Sequence, residues 1–510
     1  MNCRLLLMLM MFVCMMPAKA QQTEIDSVEA DQTAGLHVAM DGAVAYTYYN
    51  GADPRKKTSS LNVIYAMNNL SVKGRLSVDI SKSAVVLGSV YSGNGFVFVI
   101  GDAVAQTRTL MQVDMNGNIL NKVVENGIDA SLLKTDNKVY ITDAMPEGCI
   151  VVYENNAKDG GYTIINYNNE LKVQWEKKIS GDNGNLEIVS IHKFMNILMV
   201  LRKETIDAKN QKYVYSVHSF FTDNESLQSV AELKDEDKYC FPISMSVRDG
   251  MAFVSGLYYK DGKYAEGKPQ GLSVYNLGPD GAIMKKFSVP MERVNQFLPD
   301  AMIVSLAQNA MLNVVDASAN NIGGSTITFE VVSKELNKSK QEATIKIADM
   351  MVARFNGQDE LESLQASDIA PATTILMKGP VVQQNLLNTS IWLNKMGLFN
   401  FRFAASMNGK QYLCHYTNDS VQRREVNVIF LPTDDPRQSM GTMLLTTRIP
   451  DTAGIMKKPR KLVLDTSVPI SSTSFKKYND IQYLPNGTLL MLNFIKPRVC
   501  FAIERIVLMH

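Results

Sequence analysis

The stretch Val86–Gly101, VLGSVYSGNGFVFVIG, decides how the rest of the chain is read. Two apolar runs flank Ser92-Gly93-Asn94-Gly95, and Asn-Gly supplies the left-handed backbone angles of a tight hairpin turn. Neither run alternates, so a hairpin made from them has to be covered on both faces. The same form recurs at LHVAMDGAVAYTYYN (36–50), SLLKTDNKVYITDA (131–144), LEIVSIHKFMNILMVLRK (186–203) and PISMSVRDGMAFVSG (242–256). It continues at MIVSLAQNAMLNVVD (302–316), FRFAASMNGKQYLCHYT (401–417) and IQYLPNGTLLMLNF (481–494).

A second, more amphipathic hairpin lies between these copies, as in LNVIYAMNNLSVKGRLSV (61–78), TLMQVDMNGNILNKVV (109–124) and YTIINYNNELKVQWEKKI (162–179). Its turns fall near positions 69, 117, 169, 224, 281, 337 and 435, a period of about 50 residues with one long step of 98. Two hairpins per unit make a four-stranded antiparallel sheet, and serial sheets at this period are the signature of propeller blades. The expected fold class is therefore all-β, a β-propeller of about eight four-stranded blades; seven blades or tandem β-sandwiches are the alternatives. Inner strands flanked by neighbouring blades are free to be wholly apolar, whereas outer strands alternate. Leu87, Val90, Phe96, Phe98 and Ile100 are accordingly assigned to inter-blade core.

Residues 1–20 form a signal-peptide pattern: Arg4, an apolar run Leu5–Met16, then Ala18-Lys19-Ala20 before Gln21. Residues 21–510 are expected to form a single propeller domain, with an insertion or degenerate blade at about 348–397 explaining the long step. The last unit ends at VCFAIERIVLMH with no room for its fourth strand, which the N-terminal TEIDSVEADQ (23–32) is placed to supply. The leader implies export to the periplasm or the cell exterior. A lipoprotein is not expected, because Cys14 lacks a small residue before it, and the apolar run is too short to anchor the chain in a bilayer.

The 52 basic and 51 acidic residues leave no excess charge to attract nucleic acid or an anionic membrane. Beyond the leader, Cys149, Cys240, Cys414 and Cys500 are too scattered for a disulfide framework, though any two could pair.

The repeated strands resemble an uncharacterised family of exported Bacteroidales proteins, carried here by YTIINYNNELKV and the apolar hairpin VLGSVYSGNGFVFVIG. The resemblance implies export and propeller-like architecture, and it brings no catalytic motif. In that setting, Asp followed by Ser or Thr at Asp26-Ser27, Asp419-Ser420, Asp451-Thr452 and Asp465-Thr466 resembles an O-glycosylation acceptor.

No catalytic residue, metal ligand or cofactor is assigned. The histidines make no zinc-binding spacing, and phosphate-loop, dinucleotide and serine-elbow motifs are missing. Adjacent Cys414 and His415 point to opposite faces of a strand. Asp114, Asn116, Asn118 and Glu125 sit at calcium-loop spacing, but Ile119 stands where that loop needs glycine, so turn chemistry explains them.

In a propeller the turns inside hairpins leave one face and the longer connections leave the other, where ligands are usually bound. On that face Tyr258, Tyr259, Lys260, Lys263 and Tyr264 combine flat apolar rings with polar tips. They are the candidate binding residues, for a protein or glycan partner. The expectation is a monomeric binding or scaffold protein with no membrane insertion. The alternative is a glycan-active hydrolase or lyase with carboxylates in the central depression.

Overall fold

A computed structural model describes the chain from Gln21 to Val507, apart from residues 444–461, 466–478 and several shorter loop stretches. The leader lies outside the described residues, as do Ser27, Ser420, Asp451 with Thr452, and Thr466 of the acceptor pairs.

Among the described residues, eight sheets follow one another along the chain. Blades 1 to 4 comprise residues 33–81, 84–126, 139–179 and 186–232, each with four strands in sequence order. Blade 5 (234–290) has its first strand broken into Lys238–Phe241 and Met245–Arg248, both on Met251–Lys260. Pro242 lies in the break, where the missing N–H cannot join the ladder. Blade 6 (310–378) splits its outer strand instead, into Leu361–Ser367 and Thr373–Lys378 on Glu342–Phe355, and takes a parallel addition from Leu462–Asp465. Blade 7 comprises 401–443. Blade 8 combines Asn479–Tyr483, Thr488–Ile495 and Cys500–Val507 with the N-terminal strand Gln21–Asp26. That strand pairs antiparallel with Cys500–Val507 from Gln21↔Arg505 to Asp26↔Cys500, so the chain's two ends close the ring.

The cores explain why the inner strands are apolar on both faces. Alternate residues of one strand serve different seams: Val44 and Tyr46 pack with Phe501 and Leu490 of blade 8, while Ala45 and Tyr65 pack with Phe96 and Phe98 of blade 2. Leu87 and Val97 face Cys149 and Val151 of blade 3, and Ile150 and Ile164 face Leu198 and Phe220 of blade 4. Met350 and Val352 of blade 6 meet Leu413 of blade 7, and Phe403 stacks on Tyr483 at 4.8 Å between blades 7 and 8. Leu87, Phe96, Phe98 and Ile100 are buried as expected, and Val90 is partly buried against blade 3. In the outer strands, such as Ile119–Asn126, every second residue is exposed.

The repeat is also written in the backbone. In blades 1 to 6 the third strand ends in a register shift, at Tyr65/Ala66, Gln112/Val113, Asn166/Tyr167, Ser219/Phe220, Asn276/Leu277 and Arg354/Phe355. The turn that follows holds a left-handed residue at its fourth position: Leu70, Gly117, Leu171, Gly281 and Asp359. Leu70 and Leu171 bear the steric cost because their side chains are buried in the seams. Gly95 starts the second strand of blade 2, where a Cβ would lie 2.0 Å from the Val113 carbonyl oxygen; Gly148 stands in the same relation to Tyr167 in blade 3.

Three hairpins differ from expectation. The copy TFEVVSKELNKSKQEATI, grouped with the second type, joins the second and third strands of blade 6, Ser325–Asn337 and Glu342–Phe355, and the turn into the outer strand comes later, between Phe355 and Leu361. In blade 3 the first hairpin joins Val139–Asp143 to Cys149–Glu154, downstream of the turn expected near 137, a position outside the described residues. In the 302–316 copy the first half is helical: α1 (Met291–Asn295) and α2 (Asp300–Gln308) precede blade 6, whose first strand is Ala310–Ala319. A six-residue apolar run does not by itself separate strand from helix, and Pro299-Asp300 starts the helix here. Of the stretch 348–397, residues up to Lys378 lie in blade 6, and a third helix, α3 (Leu386–Lys395), follows. Cys149, Cys240, Cys414 and Cys500 are buried and form no disulfide with one another, and burial pushes the Cys149 and Cys414 thiols up to about 12.

Candidate functional site

The three α-helices of the described residues stand on the long-connection face, because each lies in a link between blades. α3 opens with Asn385, whose side chain accepts from Asn388 N as an N-cap. It belongs to the link between blades 6 and 7 yet is seated on blades 3, 4 and 5. Lys395 Nζ lies 2.9 Å from Glu154 Oε1 and 3.2 Å from Glu187 Oε1. Lys203 Nζ reaches Glu187 Oε2 at 2.7 Å and Asn388 Oδ1 at 2.8 Å. Asn385 Nδ2 donates to Gln211 Oε1 and Tyr213 OH, and Asn394 Nδ2 donates to the Ile243 carbonyl. Leu387, Ile391 and Leu393 are buried in the core of blades 4 to 6. From its link between blades 6 and 7, α3 thus reaches over to the long-connection face of blades 3, 4 and 5.

Two carboxylates, Glu154 and Glu187, converge on Lys395. Against the effect of burial, Lys203 and Lys395 hold the Glu187 carboxyl well below the usual carboxylate range. The ion pairs clamp α3 to blades 3 and 4.

Off the axis, between blades 5 and 6, a cavity of about 110 Å³ opens under α1 and α2. Its walls are Leu257, Tyr259 and Tyr264 from blade 5, Ile303 and Leu306 from α2, and Met311 from blade 6. α2 has no buried residue although its sequence DAMIVSLAQ is largely apolar, and Val304 is 55% exposed.

The five candidate residues separate here. Tyr259 and Tyr264 pack as tilted rings with centroids 5.2 Å apart, and Tyr259 stacks on Phe241 at 4.9 Å, so their rings are core that forms the cavity wall. Tyr258 lies on the other face of the strand, buried, with Lys238 Nζ 5.8 Å above its ring. Lys260 and Lys263 are exposed. Lys260 makes a long 3.9 Å pair with Asp237, and Lys263 bridges to Lys212 of blade 4, tying this loop to its neighbour. Asp114 accepts from the backbone N–H groups of Asn116 and Asn118, while Glu125 pairs with Arg108 at 2.6 Å, so the residues at calcium spacing serve a turn and a buried ion pair. Sequence reasoning missed α3 and its clamp; polar residues such as Asn385 and Lys395 beside an apolar helix were the available signal.

No family model and no curated protein matches the chain. Among solved structures it is similar to the β-propeller domain of the trilobed protease from Pyrococcus furiosus, with 9% identity, covering 79% of this chain and 99% of that one, TM-score 0.36. It is also similar to the WD40 domain of SCAP from fission yeast, with 7% identity over 83% and 86% of the two chains, TM-score 0.35. A protein of unknown function from Bacteroides caccae is a further neighbour, with 10% identity over 50% and 81%, TM-score 0.26. The class is an all-β propeller, and that assignment stands on the sheet order and seams described above. Among the described residues no helix is long and apolar enough to cross a membrane.

Proposed function

We propose that the protein is exported, to the periplasm or beyond the cell, and works there as a binding scaffold that engages a protein partner through its long-connection face. The observation that carries this reading is α2: an apolar helix whose Met302, Ile303 and Leu306 are only half-buried and whose Val304 is exposed, standing beside a cavity with aromatic walls. Apolar surface presented beside a concave pocket is what protein partners anchor in. A glycan would favour flat aromatic faces open to solvent, whereas Tyr258, Tyr259 and Tyr264 are 5%, 2% and 7% exposed. The leader pattern of residues 1–20 supports export.

The test is photo-cross-linking in the native cells from a benzophenone side chain at Val304, with the same probe at Met195 in a hairpin turn on the opposite face. A discrete protein adduct from position 304 alone is expected, in cell-envelope or medium fractions. A carbohydrate adduct, or equal adducts from both positions, would overturn the reading.

A further inference from the structure

The inner wall of the ring holds a hydrogen-bonded row that the binding reading does not use. His37 stands on the first strand of blade 1 (Thr33–Val38), and Ser89 on the first strand of blade 2 (Ala84–Ser92). Ser89 Oγ is within hydrogen-bond reach of His37 Nδ1, and His37 Nε2 lies 2.9 Å from Thr47 Oγ1. The bond beyond Thr47 sets the tautomer. Thr47 has a single hydroxyl proton, and it points to the Gly35 carbonyl oxygen at 3.2 Å, which can only accept. Thr47 Oγ1 is thereby the acceptor for His37 Nε2–H. Nδ1 keeps its lone pair, and the Ser89 hydroxyl donates to it.

The row is held firmly at its inner end and open at its outer end. Thr47 is fully buried, and Phe98 packs edge-on to the imidazole with ring centroids 5.4 Å apart. His37 and Ser89 are half-buried, which leaves the hydroxyl within reach of a small reagent. A hydroxyl bonded to the unprotonated nitrogen of a histidine, with a third group fixing that histidine, is the arrangement that turns serine into a nucleophile. Both first strands also carry register shifts, at Thr33/Gly35 and Val86/Gly88, which re-aim side chains along the wall.

We propose that Ser89 is a nucleophilic serine with His37 as its general base and Thr47 as a positioning residue, taking an acyl group from a small carboxylic ester. In the first step the Ser89 hydroxyl proton passes to His37 Nδ1 as Oγ bonds to the ester carbonyl carbon. The carbon–oxygen bond to the alcohol then breaks, and the alcohol leaves with the proton from His37. Water repeats the sequence at the acyl-serine, releasing the carboxylic acid and restoring the hydroxyl. No oxidant or reductant enters. A neutral threonine stands where a carboxylate would stabilise the imidazolium, so turnover is expected to be slow and acylation easier to see than hydrolysis.

The test uses the folded mature chain and a biotinylated fluorophosphonate, with the adduct mapped by peptide mass spectrometry. An adduct on Ser89 is expected, missing in Ser89→Ala and formed about a hundredfold more slowly in His37→Gln. Thr47→Val should slow it and Thr47→Ser restore it. A folded wild-type chain with no adduct at Ser89, or labelling that is indifferent to His37, would overturn the proposal. Neither result bears on cross-linking from Val304.

Discussion

Replacing Lys395 by methionine tests whether α3 is locked onto blades 3 and 4 by charge. Methionine keeps the apolar stem and removes the ammonium that bonds Glu154 at 2.9 Å and Glu187 at 3.2 Å. The side chains of Lys395 and Glu154 are 7% and 14% exposed, so the change strands a carboxylate in a place water hardly reaches. Breaking a buried pair from one side costs about 3 to 5 kcal/mol. The lower end applies, because Glu154 still accepts from Ile188 N and Glu187 still holds Lys203 at 2.7 Å. The expectation is a loss of about 3 kcal/mol in urea unfolding, with faster amide exchange concentrated in Leu386–Lys395 and a largely unchanged rate in the blade strands. Adding Glu154→Gln removes the stranded charge and should recover much of the loss. A loss below about 0.5 kcal/mol, the range of an ordinary surface change, would refute the argument, as would exchange in α3 that does not respond.

Three further outcomes follow from the same structure. Glu330 is buried and accepts from the backbone N–H groups of Asn400 and Phe401 at the junction of blades 6 and 7; burial pushes its carboxyl up to about 7, against the pull of those donors and of Arg402. The folded chain therefore holds a proton that the unfolded chain releases between about pH 4.3 and 7, and stability from this group falls as pH rises through that window. Glu330→Gln should remove that part of the slope in urea midpoints taken across the window. Gly95→Ala should destabilise blade 2 by more than about 1 kcal/mol in the same assay, since the added methyl meets the Val113 carbonyl oxygen at 2.0 Å. Ile25→Ala, in the N-terminal strand and 4% exposed, should cost about 2 to 4 kcal/mol, a value that would be near zero if the strand were undocked.

The ring was legible because its inner hairpins need cover on both faces. VLGSVYSGNGFVFVIG and its copies advertise burial on two sides and a tight turn between, and the seams confirm that reading at Phe96, Phe98 and Ile100. The N-terminal strand was legible from the missing partner of VCFAIERIV, which pairs with residues 21–26. Where an apolar run was short, period failed: MIVSLA became helix α2 after Pro299, and the hairpin expected near 337 joins the second and third strands of blade 6 rather than the third and fourth. The site was less readable. Alternation puts Tyr258 and Tyr259 on opposite faces, but it does not say that neighbouring blades will bury both. Lys395 meets Glu154 across 241 residues, and Ser89 meets His37 across 52, contacts that only the packing of separate blades against one another creates.

Closure of that ring is the claim on which every placement above depends. Cysteines at Gln22 and Glu504, opposite each other in the ladder between Gln21–Asp26 and Cys500–Val507, measure it directly. Mild oxidation of the folded Gln22→Cys/Glu504→Cys chain should give a disulfide within the monomer and raise the urea midpoint. Free thiols at both positions, or cross-linking only between chains, would contradict it.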